Sequence, residues 1–316
     1  MTNAFASRPL SADLQTALER VLGRPASSLG RRPFPYQTSF ALEEITVTFA
    51  DGDVHTLLFK NLSRRSLDPR ASESKPDFVY EPVREIDVYR SLLTEDRLGT
   101  AVCYGAVADR DRERYWLFLE RVRGVELWQL GELAAWEDAA RWLARFHQSG
   151  HAAPPSLLVH DAQSYRRWLE RAASFHGRKA LAPVAARHEQ VLERLARLPA
   201  TVIHGEYYPS NVLVLANGSP SRICPVDWEM AAVGPGLIDL AALTFGWEED
   251  AARRIAHAYR ETLARPPAED ELLLDLDCCR LQLAVQWLGW SAHWAPPAEH
   301  AHDWLAEAHS LAERLL

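Results

Sequence analysis

The chain has 316 residues, 47% of them hydrophobic and 25% charged, with a formal net charge of −8 and a pI near 5.9. That length favours two lobes sharing an interface over one core, and the composition is that of a globular protein, not a fibrous or disordered one. The acidic balance argues against nucleic acid as a partner, because backbone affinity needs clustered Lys and Arg.

No run approaches the roughly 20 apolar residues that span a bilayer, and the N-terminus lacks a basic stretch followed by an apolar one, so no membrane partner is expected. Cys103, Cys224, Cys278 and Cys279 show no CxxC spacing. They predict free thiols in a reducing compartment and a cytoplasmic protein. Oligomeric state is not readable.

Residues 11–23 predict a short helix, capped by Ser11 or Asp13 and ended by Gly23. From Phe40 the texture becomes β-branched and alternating: EEITVTFA, an Asp51-Gly52 turn, then DVHTLLFKNL predict antiparallel strands ending near Lys60. Residues 63–82, rich in Ser, Pro, Lys and Asp, predict a surface loop. REIDVYRSLLTE predicts a helix with Glu85 near its first turn, and TAVCYGAVAD and RYWLFLERV predict two more strands. Gly124 ends the β-rich part, which sets a first lobe at 1–123 and a second at 124–316.

The second lobe is helical over WEDAARWLARFHQ and over 161–176, 183–197, 250–265, 270–293 and 298–315. It carries one β-rich island, TVIHGEYYPSNVLVLANGSPSRICPVDWEMAAVGPG, with an Asn217-Gly218 turn. There an apolar strand delivers His204, Gly205 permits a tight turn, and Glu206 and Asn211 follow within one loop. Hairpin geometry brings Asp227 near Asn211, and their oxygens suit Mg²⁺, which takes few protein ligands plus waters and phosphates.

These residues resemble the aminoglycoside phosphotransferase and choline kinase branch of the protein-kinase-like fold. The family's catalytic loop reads HGDxxxxN, matched here by HGEYYPSN at His204, Gly205 and Asn211. Its metal-binding Asp opens a D-[FW]-E-like motif, matched by VDWE at Asp227, and GPGLIDLAAL resembles its GxPxxDLA segment, which makes Asp239 a brace for the loop. The resemblance implies an α+β bilobal fold, an N-terminal antiparallel sheet lobe followed by a mainly helical C-terminal lobe. It also implies a Lys60–Glu85 pair on the ATP phosphates and backbone around Glu120 to Val122 meeting the adenine.

Two departures stand out. Glu206 occupies the place of the Asp that orients or deprotonates the acceptor hydroxyl, and a longer carboxylate serves if the acceptor sits farther back. The phosphate-covering turn, PFPYQTSFALEE, has no glycine, so Thr38 and Ser39 would offer hydroxyls and N–H groups instead.

His204 reads as a structural histidine that fixes its turn. His300 and His302 lack a third ligand and read as surface residues. Trp287, Trp290 and Trp294 mark one helix face, as core or as a wall for an amine or quaternary ammonium group. Glu248, Glu249 and Asp250 read as a solvated helix start or as acceptor contacts.

The implied function is an ATP- and Mg²⁺-dependent kinase acting on a small-molecule hydroxyl, an aminoglycoside or related amino sugar first. Choline-like, sugar and natural-product acceptors stay open. A nucleotide-binding module without transfer and a nucleotidyl transferase are the rivals.

Overall fold

The computed structural model describes residues 12–35, 39–94, 98–215, 221–290 and 302–315. Ser11, Thr38, Asn217, Gly218, Trp294 and His300 lie outside them. The first half runs α1 (Ala12–Leu22), β1 (Ala26–Pro33), β2 (Leu42–Phe49), β3 (Val54–Asn61), α2 (Pro69–Ser74), α3 (Arg84–Ser91), β4 (Cys103–Asp109), β5 (Arg114–Glu120) and β6 (Val125–Glu126). There follow α4 (Leu133–His147), β7 (Leu158–Val159), α5 (Ala162–His176), α6 (Ala182–Leu195), β8 (Ala200–Ile203), β9 (Val212–Leu215), β10 (Arg222–Pro225) and β11 (Ala232–Pro235). The chain closes with α7 (Leu237–Thr244), α8 (Glu249–Thr262), α9 (Glu269–Trp290) and α10 (Trp304–Arg314).

Strands β1 to β5 form one five-stranded antiparallel sheet in the order β1-β2-β3-β5-β4. Strand parity decides what each face carries. Ile45, Val47, Leu57 and Phe59 project to one side and are buried with Leu14 and Leu18 of α1. Leu58 and Lys60 alternate to the other side, where they line a cavity. The turn at Asp51-Gly52 has Gly52 at φ +86, and it sets the β2–β3 register that places Lys60 opposite Leu42.

Three elements depart from the sequence expectation. Strand β1, ASSLGRRP, is an exposed edge held by Arg31–Glu43 and Arg32–Glu44 ion pairs to β2, so it needs no alternating apolar pattern. Within 63–82 the chain forms α2 and two short 3₁₀ turns instead of a plain loop. After Gly124 comes β6, which pairs with β9 in a second sheet ordered β10-β9-β6. A Cβ on Gly124 would sit 3.0 Å from Leu213 Cβ and 3.2 Å from Val214 O, so that close approach needs glycine.

The helical part shares one large core with α3 and the inner face of the sheet, from Ile86 and Leu117 to Phe146, Leu240 and Leu283. Helix α9 runs through it, with Leu272, Leu276, Cys279, Leu283 and Leu288 buried on several sides. The four cysteines are free thiols, three of them buried. No helix among the described residues is long and apolar enough to cross a membrane.

Candidate active site

Strand β8 ends at Ile203 and the chain turns sharply at Gly205, where φ is +83 and a Cβ would overlap the Met230 carbonyl. Asp239, fully buried near the start of α7, accepts the N–H of His204 at 2.7 Å and of Gly205 at 2.8 Å. Behind it His147 Nε2 lies 3.3 Å from Asp239 Oδ2, with His147 Nδ1 2.9 Å from the Tyr259 hydroxyl. His204 Nε2 donates to Val226 O at 3.0 Å and its Nδ1 accepts the Glu206 N–H at 3.3 Å. That pattern belongs to one neutral tautomer, and burial pushes the imidazole pKa down. His204 therefore ties the loop to the β10 end, and Asp239 ties it to α7.

The same tie carries Asn211 and Asp227. Asn211 O accepts the Val226 N–H at 2.9 Å, and Asn211 Nδ2 donates to Glu206 O at 3.0 Å. This leaves Oδ1 as the amide atom able to accept or ligate. Asp227 adopts a left-handed backbone, φ 65 and ψ 65, one of two non-glycine residues with positive φ among those described. Its carboxylate accepts Lys60 Nζ at 2.6 Å, and Lys60 also donates to Glu85 Oε2 at 2.7 Å. The Lys60 and Glu85 side chains are 6% and 2% exposed. Burial opposes the Lys60 charge, but Asp227 and then Glu85 outweigh it and hold the ammonium above the usual lysine range. Burial pushes the Glu85 carboxyl up to about 7 against the pull of Lys60.

Lys60, Glu85, Glu120, Val122, Asn211 and Asp227 all line one cavity of about 250 Å³. Its middle is apolar, walled by Leu42 and Leu58 on the sheet side and Leu213 and Val226 on the other. Glu120 stands at the far end from Lys60 along β5, with its carboxylate bound to Arg222 at 2.7 Å and 2.8 Å, and the Arg222 guanidinium lowers its pKa. An apolar slot with two hard oxygen donors and a fixed cation at one end suits a flat base joined to an anionic, metal-binding group. Among the described residues no group of three or more His, Cys, Asp and Glu is placed to hold a metal.

Glu206 does not line that cavity; it sits half-buried on the loop beside it. Burial pushes its carboxyl up to about 8, reinforced by Glu229 and Asp227 and opposed by Lys75 and Lys60. Ser39 stands apart as well, donating its hydroxyl to Glu229 Oε1 at 2.6 Å.

Lys75 and Arg84 carry no motif signal of their own, and Glu229 closes the VDWE motif. Lys75 donates to Glu229 Oε2 at 2.5 Å, and Arg84 donates to the carbonyls of Val79, Ser156 and Glu229. The one available hint for Arg84 was its place next to Glu85, at the start of a helix whose dipole disfavours a cation. Trp287 Nε1 donates to the Tyr208 hydroxyl at 2.7 Å, and Trp287 stacks on Trp304 while Trp290 stacks on Trp168. His302 packs edge-on against Phe245 at 4.6 Å, and Glu249 pairs with Arg253 at 2.6 Å.

Solved structures share this fold at low sequence identity. A microcompartment-associated aminopropanol kinase superposes with a TM-score of 0.60 at 16% identity, covering 94% of each chain. The choline kinase LicA from Streptococcus pneumoniae does so with 0.60 at 12%, covering 96% of this chain and 98% of its own. APH(2")-IIa in its ternary complex with streptomycin and ATP gives 0.54 at 13%, covering 97% of both. The fold is α+β, bilobal and kinase-like. No curated protein matches the chain by sequence. The model of the phosphotransferase enzyme family matches residues 84–274, which include Glu85, the catalytic-loop motif and Asp227. The chain belongs to the phosphotransferase enzyme family.

Proposed function

We propose that the chain is an ATP-dependent phosphotransferase that phosphorylates a hydroxyl of a small molecule, an aminoglycoside or related amino sugar being the first acceptor class to try. The observation that carries this reading is Lys60, a buried cation held between Glu85 and Asp227 at the polar end of an apolar cavity. Residues 1–123 then serve chiefly as the nucleotide lobe and 124–316 as the acceptor lobe. The four free thiols fit a reducing, cytoplasmic setting.

In this reading the adenine occupies the apolar middle of the cavity, with backbone between Glu120 and Val122 at its edge, and Lys60 meets the phosphates. Asn211 and Asp227 would hold Mg²⁺, whose contribution when bound is to neutralise charge on those phosphates. The acceptor hydroxyl oxygen attacks the terminal phosphorus, the bond to the bridging oxygen breaks to release ADP, and the hydroxyl proton passes to Glu206. Most of the rate enhancement comes from alignment and charge neutralisation, so a Glu in place of an Asp changes where the acceptor must sit more than whether transfer occurs.

Trp287 and Tyr208 favour a second acceptor class. Tyr208 lies two residues along the loop from Glu206 and its ring stands 5.6 Å from that of Trp287 on α9, and an aromatic face there would suit an amine or quaternary ammonium compound. Incubation of the purified chain with Mg-ATP and a panel of aminoglycosides, choline, amino alcohols, sugars and nucleosides tests both classes. ADP formation dependent on one acceptor is the expected result. ATP binding without ADP from any acceptor would replace the kinase reading with that of a nucleotide-binding module.

A further inference from the structure

Arg222 opens β10 and uses every nitrogen of its guanidinium on the sheet lobe. Nη1 and Nη2 donate to the two Glu120 carboxylate oxygens at 2.8 Å and 2.7 Å, while Nε donates to Gly99 O at 2.8 Å and Nη2 also to Thr100 O at 2.9 Å. Glu120 Oε2 further accepts the Val102 N–H at 3.1 Å, so one carboxylate and one guanidinium join β10, the end of β5 and the connection leading into β4. A two-bond fork between these groups fixes orientation as well as distance, which a point charge cannot do. The Arg222 and Glu120 side chains are 33% and 22% exposed, so their charge adds little net stability and the geometry is what the contact supplies.

The connection into β4 is shaped for this grip. Gly99 has φ +66, and a Cβ there would lie 3.4 Å from Arg222 Cγ and 3.5 Å from Ile223 O, so the connection and β10 pass in contact. The Leu98 carbonyl accepts Trp142 Nε1 of α4 at 2.5 Å. Three successive carbonyls, those of Leu98, Gly99 and Thr100, are thereby committed to side chains from the helical part. Glu120 and Val122 line the cavity, whereas Arg222 stands outside its lining. Strand β10 thus meets the Glu120 end through Arg222 and the Lys60 end through Asp227, two residues past Pro225.

We propose that Arg222 is a positioning residue for the nucleotide base: by gripping Glu120 and the carbonyls of Gly99 and Thr100 with one guanidinium, it fixes the edge of the cavity that the base meets, without touching the base itself. This rests on the nucleotide reading above. An edge already held in place costs less to order when a ligand arrives, so the contact acts on base affinity. Phosphate affinity is left to the Lys60 end.

Calorimetric titration of the full chain with Mg-ATP and, separately, with adenosine tests this. Arg222→Met should weaken both ligands by the same factor, about tenfold, and Arg222→Lys, which keeps the charge without the fork, should still weaken both about fivefold. A general loosening of the fold would also spoil the Lys60 end, so Mg-ATP would then lose more than adenosine. If Arg222→Met does not fold, Glu120→Gln decides, with an equal loss of about threefold expected. Unchanged adenosine affinity in a folded variant, a larger loss for Mg-ATP than for adenosine, or wild-type affinity in Arg222→Lys overturns the inference while the nucleotide reading stands. A wild-type chain that binds Mg-ATP but not adenosine does the same. A wild-type chain that binds neither ligand overturns both.

Discussion

Lys60 Nζ and Asp227 Oδ1 lie 2.6 Å apart across the boundary between the sheet and the helical part, and Asp227 reaches that contact from a left-handed backbone. Asp and Asn tolerate this conformation better than other side-chain-bearing residues. Asp227→Asn therefore tests charge without disturbing the turn. If Asp227 holds the metal, the variant should keep its melting temperature within a few degrees and lose roughly 10³-fold in ADP release. Activity near wild type would remove Asp227 from the site.

Much of this geometry is legible from order alone. Lys60 ending a strand, Glu85 opening the next helix, and Asn211 and Asp227 flanking a hairpin are each ordinary, and their succession is what brings them to one cavity. Strand alternation also shows which way Lys60 points, because Leu57 and Phe59 must face α1. What stays hidden depends on contacts distant in sequence. Strand β1 is held by charge pairs to β2 and has no apolar period, and Lys75 looks like a solvated loop lysine until Glu229, 154 residues on, is seen to hold it. The left-handed turn at Asp227 has no short-range signal, since no glycine marks it.

Arg84 should matter to both stability and the site. It is 3% exposed, and it satisfies the carbonyls of Val79, Ser156 and Glu229, although burial lowers its pKa to about 10. Arg84→Met would leave those carbonyls unpaired at about 1–3 kcal/mol for each that water cannot reach. Chemical denaturation should show a loss of about 3 kcal/mol or more, and Mg-ATP affinity should fall as the Glu229 turn loosens. A loss below about 0.5 kcal/mol would mean that the three contacts contribute nothing net.

Asp239 predicts a purely structural effect. It accepts two backbone N–H groups and meets His147, but it touches no cavity residue that would hold substrate. Asp239→Ala should destabilise the chain by about 3 kcal/mol or more, because buried charge-assisted hydrogen bonds are lost and two N–H groups are orphaned. Asp239→Asn, which keeps one acceptor oxygen, should recover part of that loss. Equal losses for Asn and Ala would show that the carboxylate charge is what the loop needs.

Glu206 couples stability and activity to pH with opposite signs. Its carboxyl is raised to about 8 in the folded chain, against an unfolded value near 4.3. The folded state therefore holds this proton where the unfolded state has lost it. Its stabilising contribution is complete below about pH 4 and is lost as pH rises through about 8. The buried histidines shift the other way, but His160, lowered to about 4, stops contributing once the unfolded histidine is neutral above about pH 7. Between about pH 7 and 9 the melting temperature should fall, and Glu206→Gln should flatten that slope. Over the same interval kcat/KM should rise, because proton acceptance needs the carboxylate, and Glu206→Gln should lower kcat by about 10²- to 10⁴-fold. A sloping melting curve with a pH-independent rate would keep the buried proton and remove Glu206 from proton transfer.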